Sequence, residues 1–242
     1  MAKKRKRDAP IATLEGDGFS FHPGLLSKAA TAALLQALSN AANKKGLLCD
    51  QFDRTPVKEW RTAPKLKACD KLCKKPAVAE AVARIRDALG EGWRGCCVAS
   101  VGLLQTPPRT KTGVVHSDLA AAAEGAGLTV IVGLVDGAAG TEVLSTTVVK
   151  ASKEVAEDFG TGDATAAFDA GKGATFGYDQ GDVLVMGQHS FHRATSTMKR
   201  KGMKFLCYLV LVRSPTGLDE ALRLDTEHNY PSAVDDEDDG GG

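Results

Sequence analysis

The residues in this sequence best suited to chemistry are a histidine and an aspartate two positions apart. His116 and Asp118 lie within the largely apolar run of residues 114–119. If this run forms a strand, residues i and i+2 project from the same face, so the imidazole and the carboxylate lie side by side. Both groups are good metal ligands. Two ligands alone do not make a good site, so a third must come from elsewhere in the chain.

A third ligand is available much later, in residues 181–193. This run has the pattern of a strand that enters a turn and ends in histidine, and it offers both His189 and His192. Two histidines and one carboxylate form a facial triad, which leaves adjacent metal positions open and suits Fe(II) oxygenase chemistry. The remaining histidines, His22 and His228, lie outside the predicted β unit and are expected to take no part.

Hydrophobic periodicity predicts the elements that must position these residues. Helical spacing of apolar residues indicates a helix over residues 23–43 that ends near Gly46, and an amphipathic helix between Pro76 and Gly90. After Gly92 the pattern changes to short β-type runs punctuated by glycine and aspartate. The predicted strands are residues 96–104, 114–118, 128–135, 142–149, 181–187 and 204–212, and residues 150–172 form a polar insertion.

The order of these elements indicates the organisation of the chain. No long helical pattern separates one predicted strand from the next, which argues against parallel βαβ units. An all-β unit of this kind closes as a sandwich or a barrel. The predicted regions are a basic tail (1–15), an N-terminal helical segment packing on the core (16–93), the β core (94–214) and a C-terminal extension with an acidic tail (215–242).

The ordered motifs resemble those of the Fe(II)/2-oxoglutarate-dependent dioxygenase superfamily, in its prolyl-hydroxylase and phytanoyl-CoA-hydroxylase style. His116-Ser117-Asp118 matches the HxD motif, and residues 181–185 followed by His192 resemble the run into the distal histidine. The strand that follows the HxD motif is resembled by residues 128–134, and the turn into the next core strand by residues 140–143. The last strand is resembled by residues 204–210. The resemblance covers roughly residues 95–214, and its spacing favours His192 over His189 as the distal ligand.

The resemblance implies an α+β fold, with a double-stranded β-helix (jelly-roll) core preceded by N-terminal helices. It implies that His116, Asp118 and His192 bind Fe(II), and that 2-oxoglutarate and O2 are co-substrates. His189 and Thr129 are then expected to line the pocket or support the ligands.

The resemblance also implies a basic residue near the start of the last strand, paired with the far carboxylate of 2-oxoglutarate. A dicarboxylate buried in the mouth of a barrel must be neutralised. Arg200, Lys201 and Lys204 are the candidates. We prefer Lys204, because it opens the strand and points inward in one of the two registers, and Arg200 comes next. The alternative for Lys204 is an ordinary exposed lysine at the end of a strand.

Composition restricts the class of protein. The 242 residues carry a net charge of +1 and are 43% hydrophobic, which is ordinary for a soluble globular chain. The basic run 3–7 and the acidic run 235–239 are expected to be solvated tails, although the first also resembles a nuclear localisation signal. The six cysteines show no zinc spacing and no disulfide framework. Without a secretory signal or an apolar run of about 18 residues, we expect an intracellular protein of the nucleus or cytoplasm.

Three functions remain open from the sequence. The first is hydroxylation of a protein side chain or a small molecule, with succinate and CO2 as co-products. The second is an oxygenase or demethylase acting on nucleic acid, which the basic tail and the basic stretch of residues 47–75 encourage. The third is a non-catalytic, cupin-like jelly-roll binding module, which would apply if the cation near residue 204 lies too far from the triad.

Overall fold

The computed structural model describes residues 12–45, 49–50, 58–61, 71–118, 127–145, 148–149, 160–187, 190–197 and 202–213. The helices are α1 (Leu14–Asp17), α2 (Lys28–Lys45), α3 (Pro76–Leu89) and α4 (Thr161–Asp169). The strands are β1 (Phe19–His22), β2 (Cys49–Asp50), β3 (Lys58–Arg61), β4 (Cys97–Thr106), β5 (Gly127–Gly133), β6 (Ala138–Val143), β7 (Ala174–Tyr178), β8 (Val183–Met186), β9 (His192–Ala194) and β10 (Lys204–Val212). Among these residues, no helix is both long enough and apolar enough to cross a membrane.

Seven antiparallel strands form the larger sheet, in the order β1-β8-β5-β10-β4-β3-β2. The central strand is β10, which pairs with β4 on one side and β5 on the other, so that Tyr208 lies opposite both Gly102 and Ile131. Every residue of β10 except Phe205 is buried. A nearly continuous apolar run is the pattern expected of a strand that is covered on both faces.

The two faces of the larger sheet contact different layers. On the outer face, α2 and α3 pack against the strands, with Leu38 and Ile85 fully buried among residues such as Val101 and Leu209. Proline at the first position of α3 suits the fixed φ of a helix start, and Gly90 follows its last residue. Side chains alternate along a strand, so Leu206, Tyr208 and Val210 of β10 face the other way, into the interior between the two sheets.

The smaller sheet has the strand order β7-β6-β9 and covers that interior. Val143 and Phe176 from the smaller sheet pack there against Phe21 and Leu184 from the larger one. An extended segment beside β9 continues the smaller sheet, because the amide of Gly113 donates to the carbonyl of Ala194 at 2.9 Å. The interior is therefore enclosed by antiparallel strands from both sheets.

A separate apolar cluster covers the outer face of the smaller sheet. Ala164, Ala167 and Phe168 of α4 pack there against Leu144 and Val149. The polar insertion predicted at residues 150–172 therefore contains a short helix, and its apolar side lies behind β6 and β9.

Most of the predicted core elements are confirmed, with several boundary corrections. The last strand has the predicted bounds, and both long helices are present, although α2 begins five residues later than predicted. The strand predicted at 142–149 ends at Val143, and the prediction is wrong for residues 144–145 and 148–149, which lie outside the sheet. Residues 114–118 make only a bridge at His116. The N-terminal segment is more than helical, since β1 pairs with β8 at the edge of the larger sheet. The α+β class is confirmed.

Candidate metal centre

The structure brings three candidate ligands together in one place. One ligand atom from each of His116, Asp118 and His192 lies within 4.8 Å of the other two. The side chains of Asp118 and His192 are 11% and 8% exposed, whereas that of His116 is 27% exposed. The cluster therefore lies in a mostly buried position with one side towards solvent.

Backbone pairing places the two histidines side by side. The amide of His116 donates to the carbonyl of His192 at 3.1 Å, and the amide of His192 donates to the carbonyl of His116 at 2.9 Å. This reciprocal pair makes the two residues direct cross-strand neighbours, with their side chains on the same face. The ring centres are 4.3 Å apart. Since His192 also lies opposite Val143 of β6, both imidazoles share the face that covers the interior.

Asp118 completes the cluster by the spacing predicted from the sequence. Its Oδ1 lies 3.5 Å from Nε2 of His116, and its Oδ2 lies 3.4 Å from Nε2 of His192. The carboxylate thus lies beside the Nε2 atom of each ring. The i, i+2 relation is confirmed here, even though residues 114–118 do not form a continuous strand.

Each imidazole is oriented by a carbonyl two residues earlier in the chain. Nδ1 of His116 lies 3.1 Å from the carbonyl oxygen of Val114, and Nδ1 of His192 lies 3.0 Å from that of Ser190. A carbonyl only accepts, so each Nδ1 carries the proton and each Nε2 is the acceptor nitrogen. Ligand histidines in metal sites are commonly fixed in this way.

The electrostatics favour the metal-binding protonation states of Asp118 and His192. Burial raises the pKa of Asp118, but the positive charge that His192 and His116 carry when protonated, together with the hydroxyl of Thr129, outweighs this effect, so the pKa of Asp118 lies below its ordinary value. Burial lowers the pKa of His192, and this effect exceeds the opposing influence of Asp118. An ionised carboxylate next to a neutral imidazole is the form required of metal ligands.

A cation fits this donor set on structural grounds. Within the described part of the chain, Oδ2 of Asp118 and Oγ1 of Thr129 are buried atoms without a hydrogen-bond partner of good geometry. A buried carboxylate oxygen left in this state is unfavourable unless a positive charge compensates it. Two Nε2 atoms and a carboxylate oxygen directed at one point are donors of the type that a divalent transition metal accepts.

Lys204 points into the interior between the sheets. It shares the alternation of Leu206 and Tyr208 along β10, and it is only 1% exposed. Its Nζ lies 3.5 Å from the carbonyl oxygen of Gly140 and 6.0 Å from the ring centre of Tyr178. The alternative of an exposed lysine at the strand end is therefore wrong. The other two candidate cations, Arg200 and Lys201, lie outside the described residues.

The sequence analysis missed a polar pair near this lysine. The hydroxyl of Tyr178 on β7 donates to Oγ1 of Thr141 on β6 at 2.9 Å, and both residues are buried. The alternation of Phe176 and Tyr178 before the turn at Asp179 was the signal that could have identified β7.

The remaining predicted site residues have different positions. His189 and His228 lie outside the described residues, as does most of the basic stretch 47–75. His22 lies on β1, where its Nε2 is 2.9 Å from the hydroxyl of Ser20. Thr129 is buried on β5, and its hydroxyl lowers the pKa of Asp118.

Comparison with solved structures identifies the fold. No protein-family model matches the chain, and no curated protein matches it. The carbocyclase SnoK from nogalamycin biosynthesis, described as non-heme and alpha-ketoglutarate dependent, superposes with a TM-score of 0.61 at 15% identity, covering 82% of this chain and 81% of its own. AviO1 from Streptomyces viridochromogenes Tue57 gives a TM-score of 0.57 at 17% identity, with 84% and 92% covered.

A third solved structure holds ligands. The epimerase SnoN, in complex with Fe3+, alpha-ketoglutarate and nogalamycin RO, gives a TM-score of 0.54 at 16% identity, with 85% of this chain and 86% of its own covered. Similarity at this low sequence identity establishes the fold alone. For the fold, it confirms the resemblance found in the sequence. The chain has the fold that these solved structures of SnoK, AviO1 and SnoN share.

Proposed function

We propose that this protein is an Fe(II)- and 2-oxoglutarate-dependent dioxygenase whose two facing sheets form a double-stranded β-helix. The observation that carries the proposal is the convergence of His116, Asp118 and His192 at the interior between the two sheets, which also contains Lys204, with an ionised Asp118 beside a neutral His192. A fold can be shared without its activity, so the proposal rests on these residues.

The three ligand residues would hold the metal through Nε2 of each histidine and the carboxylate of Asp118. The carbonyls of Val114 and Ser190 keep the rings in the required tautomer. Thr129 would support Asp118 by donating its hydroxyl to the carboxylate oxygen that does not bind the metal. When bound, Fe(II) with 2-oxoglutarate and O2 supplies the oxidising power that inserts oxygen into the substrate and converts the keto acid to succinate and CO2.

Lys204 would bind the far carboxylate of 2-oxoglutarate. Val143, which lies opposite His192, and Gly140, which Lys204 contacts, are three residues apart on β6. That separation is about 10 Å at the rise of an extended strand. A five-carbon dicarboxylate with a metal contact at one end and an ammonium contact at the other spans a distance of this order. Tyr178 and Thr141 provide hydroxyl groups beside the same end.

The interior would exclude water from this site. Large apolar side chains from both sheets, among them Ile131, Leu206 and Phe176, are buried there. A low-dielectric surround strengthens the contact between Lys204 and a carboxylate. It also limits side reactions of bound intermediates with water.

We further propose that the reaction is hydroxylation of a protein side chain or a small molecule. The partly exposed His116 marks the side of the centre that a substrate can approach. The solved relatives include a carbocyclase and an epimerase, so this step is tested by product analysis. Within the described residues, nothing favours a nucleic-acid substrate, because most of the basic stretch lies outside them.

The metal and co-substrate sites are tested together by anaerobic spectroscopy. Addition of Fe(II) and 2-oxoglutarate should produce a visible metal-to-ligand charge-transfer band, and exposure to air should then yield succinate. His116→Ala and His192→Ala should each remove the band, whereas His189→Ala should largely retain it. If the wild type shows no band at saturating ligand, the proposed activity is wrong and the non-catalytic, jelly-roll binding module is favoured instead. Loss of the band in His189→Ala with retention in His192→Ala would reverse the choice of distal ligand.

A further inference from the structure

The outer face of the smaller sheet carries a charged cluster directly behind the metal centre. On β6 and β9, Val143 pairs with His192 and Glu142 pairs with Arg193. Adjacent residues of a strand project to opposite faces. His192 therefore faces the interior, and Arg193, its immediate neighbour, faces outward beside Glu142.

Arg193 makes contacts with three residues there. Its Nε donates to Oε2 of Glu142 at 2.8 Å, and its Nη1 lies 3.4 Å from Oδ1 of Asp169. Its guanidinium carbon lies 4.7 Å from the ring centre of Phe168. The side chains of Arg193 and Glu142 are only 19% and 16% exposed. A partly buried pair with an aromatic contact is stronger than an exposed surface pair.

The same face is covered by α4, which supplies both Phe168 and Asp169. Val115 precedes His116, and Phe191 precedes His192. Both pack at the edge of the apolar cluster that α4 forms with Leu144 and Val149. Space within it is closely filled. A Cβ added to Gly173 would lie 2.6 Å from Cδ1 of Phe168 and 2.7 Å from Cγ of Glu142. The Arg193 cluster (Glu142, Phe168, Asp169, Gly173 and Arg193) is thus a packed unit that joins β6, β9 and α4.

The register of β9 is the property that this unit can control. β9 has only three residues, and its backbone pairs with β6 on one side and with residues 113–116 on the other. A shift of one residue in a strand turns every side chain to the opposite face. Such a shift would place Arg193 in the interior and turn His192 away from His116 and Asp118.

We propose that Arg193 is a positioning residue for the metal centre, and that with α4 it fixes the register of β9 so that His192 stays beside His116. This inference rests on the proposed function, because it assumes that the triad binds a metal. The role of α4 would be to stabilise the geometry of the metal ligands from the opposite face of the smaller sheet.

The test measures metal binding rather than turnover. Co(II) and Fe(II) affinities and the Co(II) d–d absorption spectrum are compared for the wild type, Arg193→Ala and Arg193→Lys. Loss of a residue that orients metal ligands typically reduces metal affinity by about 10- to 100-fold. We expect this loss and an altered Co(II) spectrum in Arg193→Ala. Arg193→Lys should recover only part of the affinity, because lysine keeps the charge but loses the planar fork and its aromatic contact.

Arg213→Ala provides the matched control. Arg213 also stacks on an aromatic ring, with its guanidinium carbon 4.6 Å from the ring centre of Trp93, but it follows the end of β10 rather than contacting β9. Its loss should leave the Co(II) affinity and spectrum unchanged. If Arg193→Ala does not fold, Glu142→Gln removes the same ion pair more mildly and should give the same change in smaller measure.

The outcomes separate the two proposals. If folded Arg193→Ala and Glu142→Gln have the metal affinity and the Co(II) spectrum of the wild type, the positioning role is overturned and the proposed metal site remains. A wild type that binds no metal would overturn both. Equal losses in Arg193→Ala and Arg213→Ala would also overturn the positioning role, because the effect would then be one of general stability.

Discussion

Replacement of Lys204 by methionine tests the co-substrate site most directly. The side chain is buried between the two sheets, with Nζ 3.5 Å from the carbonyl oxygen of Gly140 and 6.0 Å from the ring centre of Tyr178. Methionine is flexible, apolar and similar in length, so Lys204→Met removes the charge without leaving a large cavity.

The expected magnitude follows from the burial of the lysine. At an effective dielectric constant of about 20, two unit charges about 4 Å apart interact by about 4 kcal/mol. Removal of one partner from a buried, hydrogen-bonded charge pair costs about 2–5 kcal/mol. The affinity for 2-oxoglutarate should therefore fall roughly 30- to 4,000-fold, at about 1.4 kcal/mol for each factor of ten. The ligand-free protein should be no less stable, because an apolar residue replaces a buried charge.

Anaerobic titration of the Fe(II)-loaded protein provides the assay. The titration with 2-oxoglutarate is repeated with 2-oxopentanoate, which has a methyl group in place of the far carboxylate. The wild type should strongly prefer 2-oxoglutarate, whereas Lys204→Met should bind both keto acids about equally. Lys28→Met, which removes an exposed lysine paired with Asp136 at 2.6 Å, should behave as the wild type. Undiminished 2-oxoglutarate affinity in Lys204→Met would refute the role of this lysine.

Three further changes test separate parts of the molecule. Gly140→Ala places a Cβ 1.7 Å from the carbonyl oxygen of Phe176, so urea unfolding should show a loss of at least about 1–3 kcal/mol; a smaller loss would contradict the tight approach of β6 and β7. Thr129→Val should weaken Co(II) binding about tenfold without loss of stability, and unchanged affinity would show that the hydroxyl does not support Asp118. Burial lowers the pKa of His22, so the unfolded chain binds its proton more readily and the fold loses stability as the pH falls below the ordinary pKa of about 6.5. His22→Gln should reduce that loss in urea unfolding followed from about pH 7.5 to about pH 5.5, and an identical pH dependence in both proteins would exclude the effect.

Local sequence pattern was sufficient to predict the helices and strands that are defined by consecutive residues. The apolar run of residues 205–212, preceded by Lys204, predicted β10 with its observed bounds, because a strand covered on both faces is largely apolar. Proline at 76 and glycine at 90 bounded α3 in the same way. The two-residue spacing of His116 and Asp118 placed their side chains together because side chains alternate in extended chain.

Other features depended on pairings between distant parts of the chain. The cross-strand pairing of His116 with His192 joins residues 76 positions apart in sequence (192 minus 116), and no local periodicity encodes such a partner. The same holds for β1, which became a strand of the larger sheet by pairing with β8. Local pattern therefore predicted neither β1 nor β9.

The sequence by itself thus determined the types of the candidate ligands, their spacing within the HxD motif and the α+β class. The tertiary structure placed His192 beside that motif, since cross-strand pairing with His116 brought it into the cluster. It also decided that Lys204 faces the interior, because either register was compatible with the sequence and only the packing of β10 between two layers selected one. The Arg193 cluster appeared only in the fold, since its charged and aromatic members come from three separate elements that long-range packing brings together.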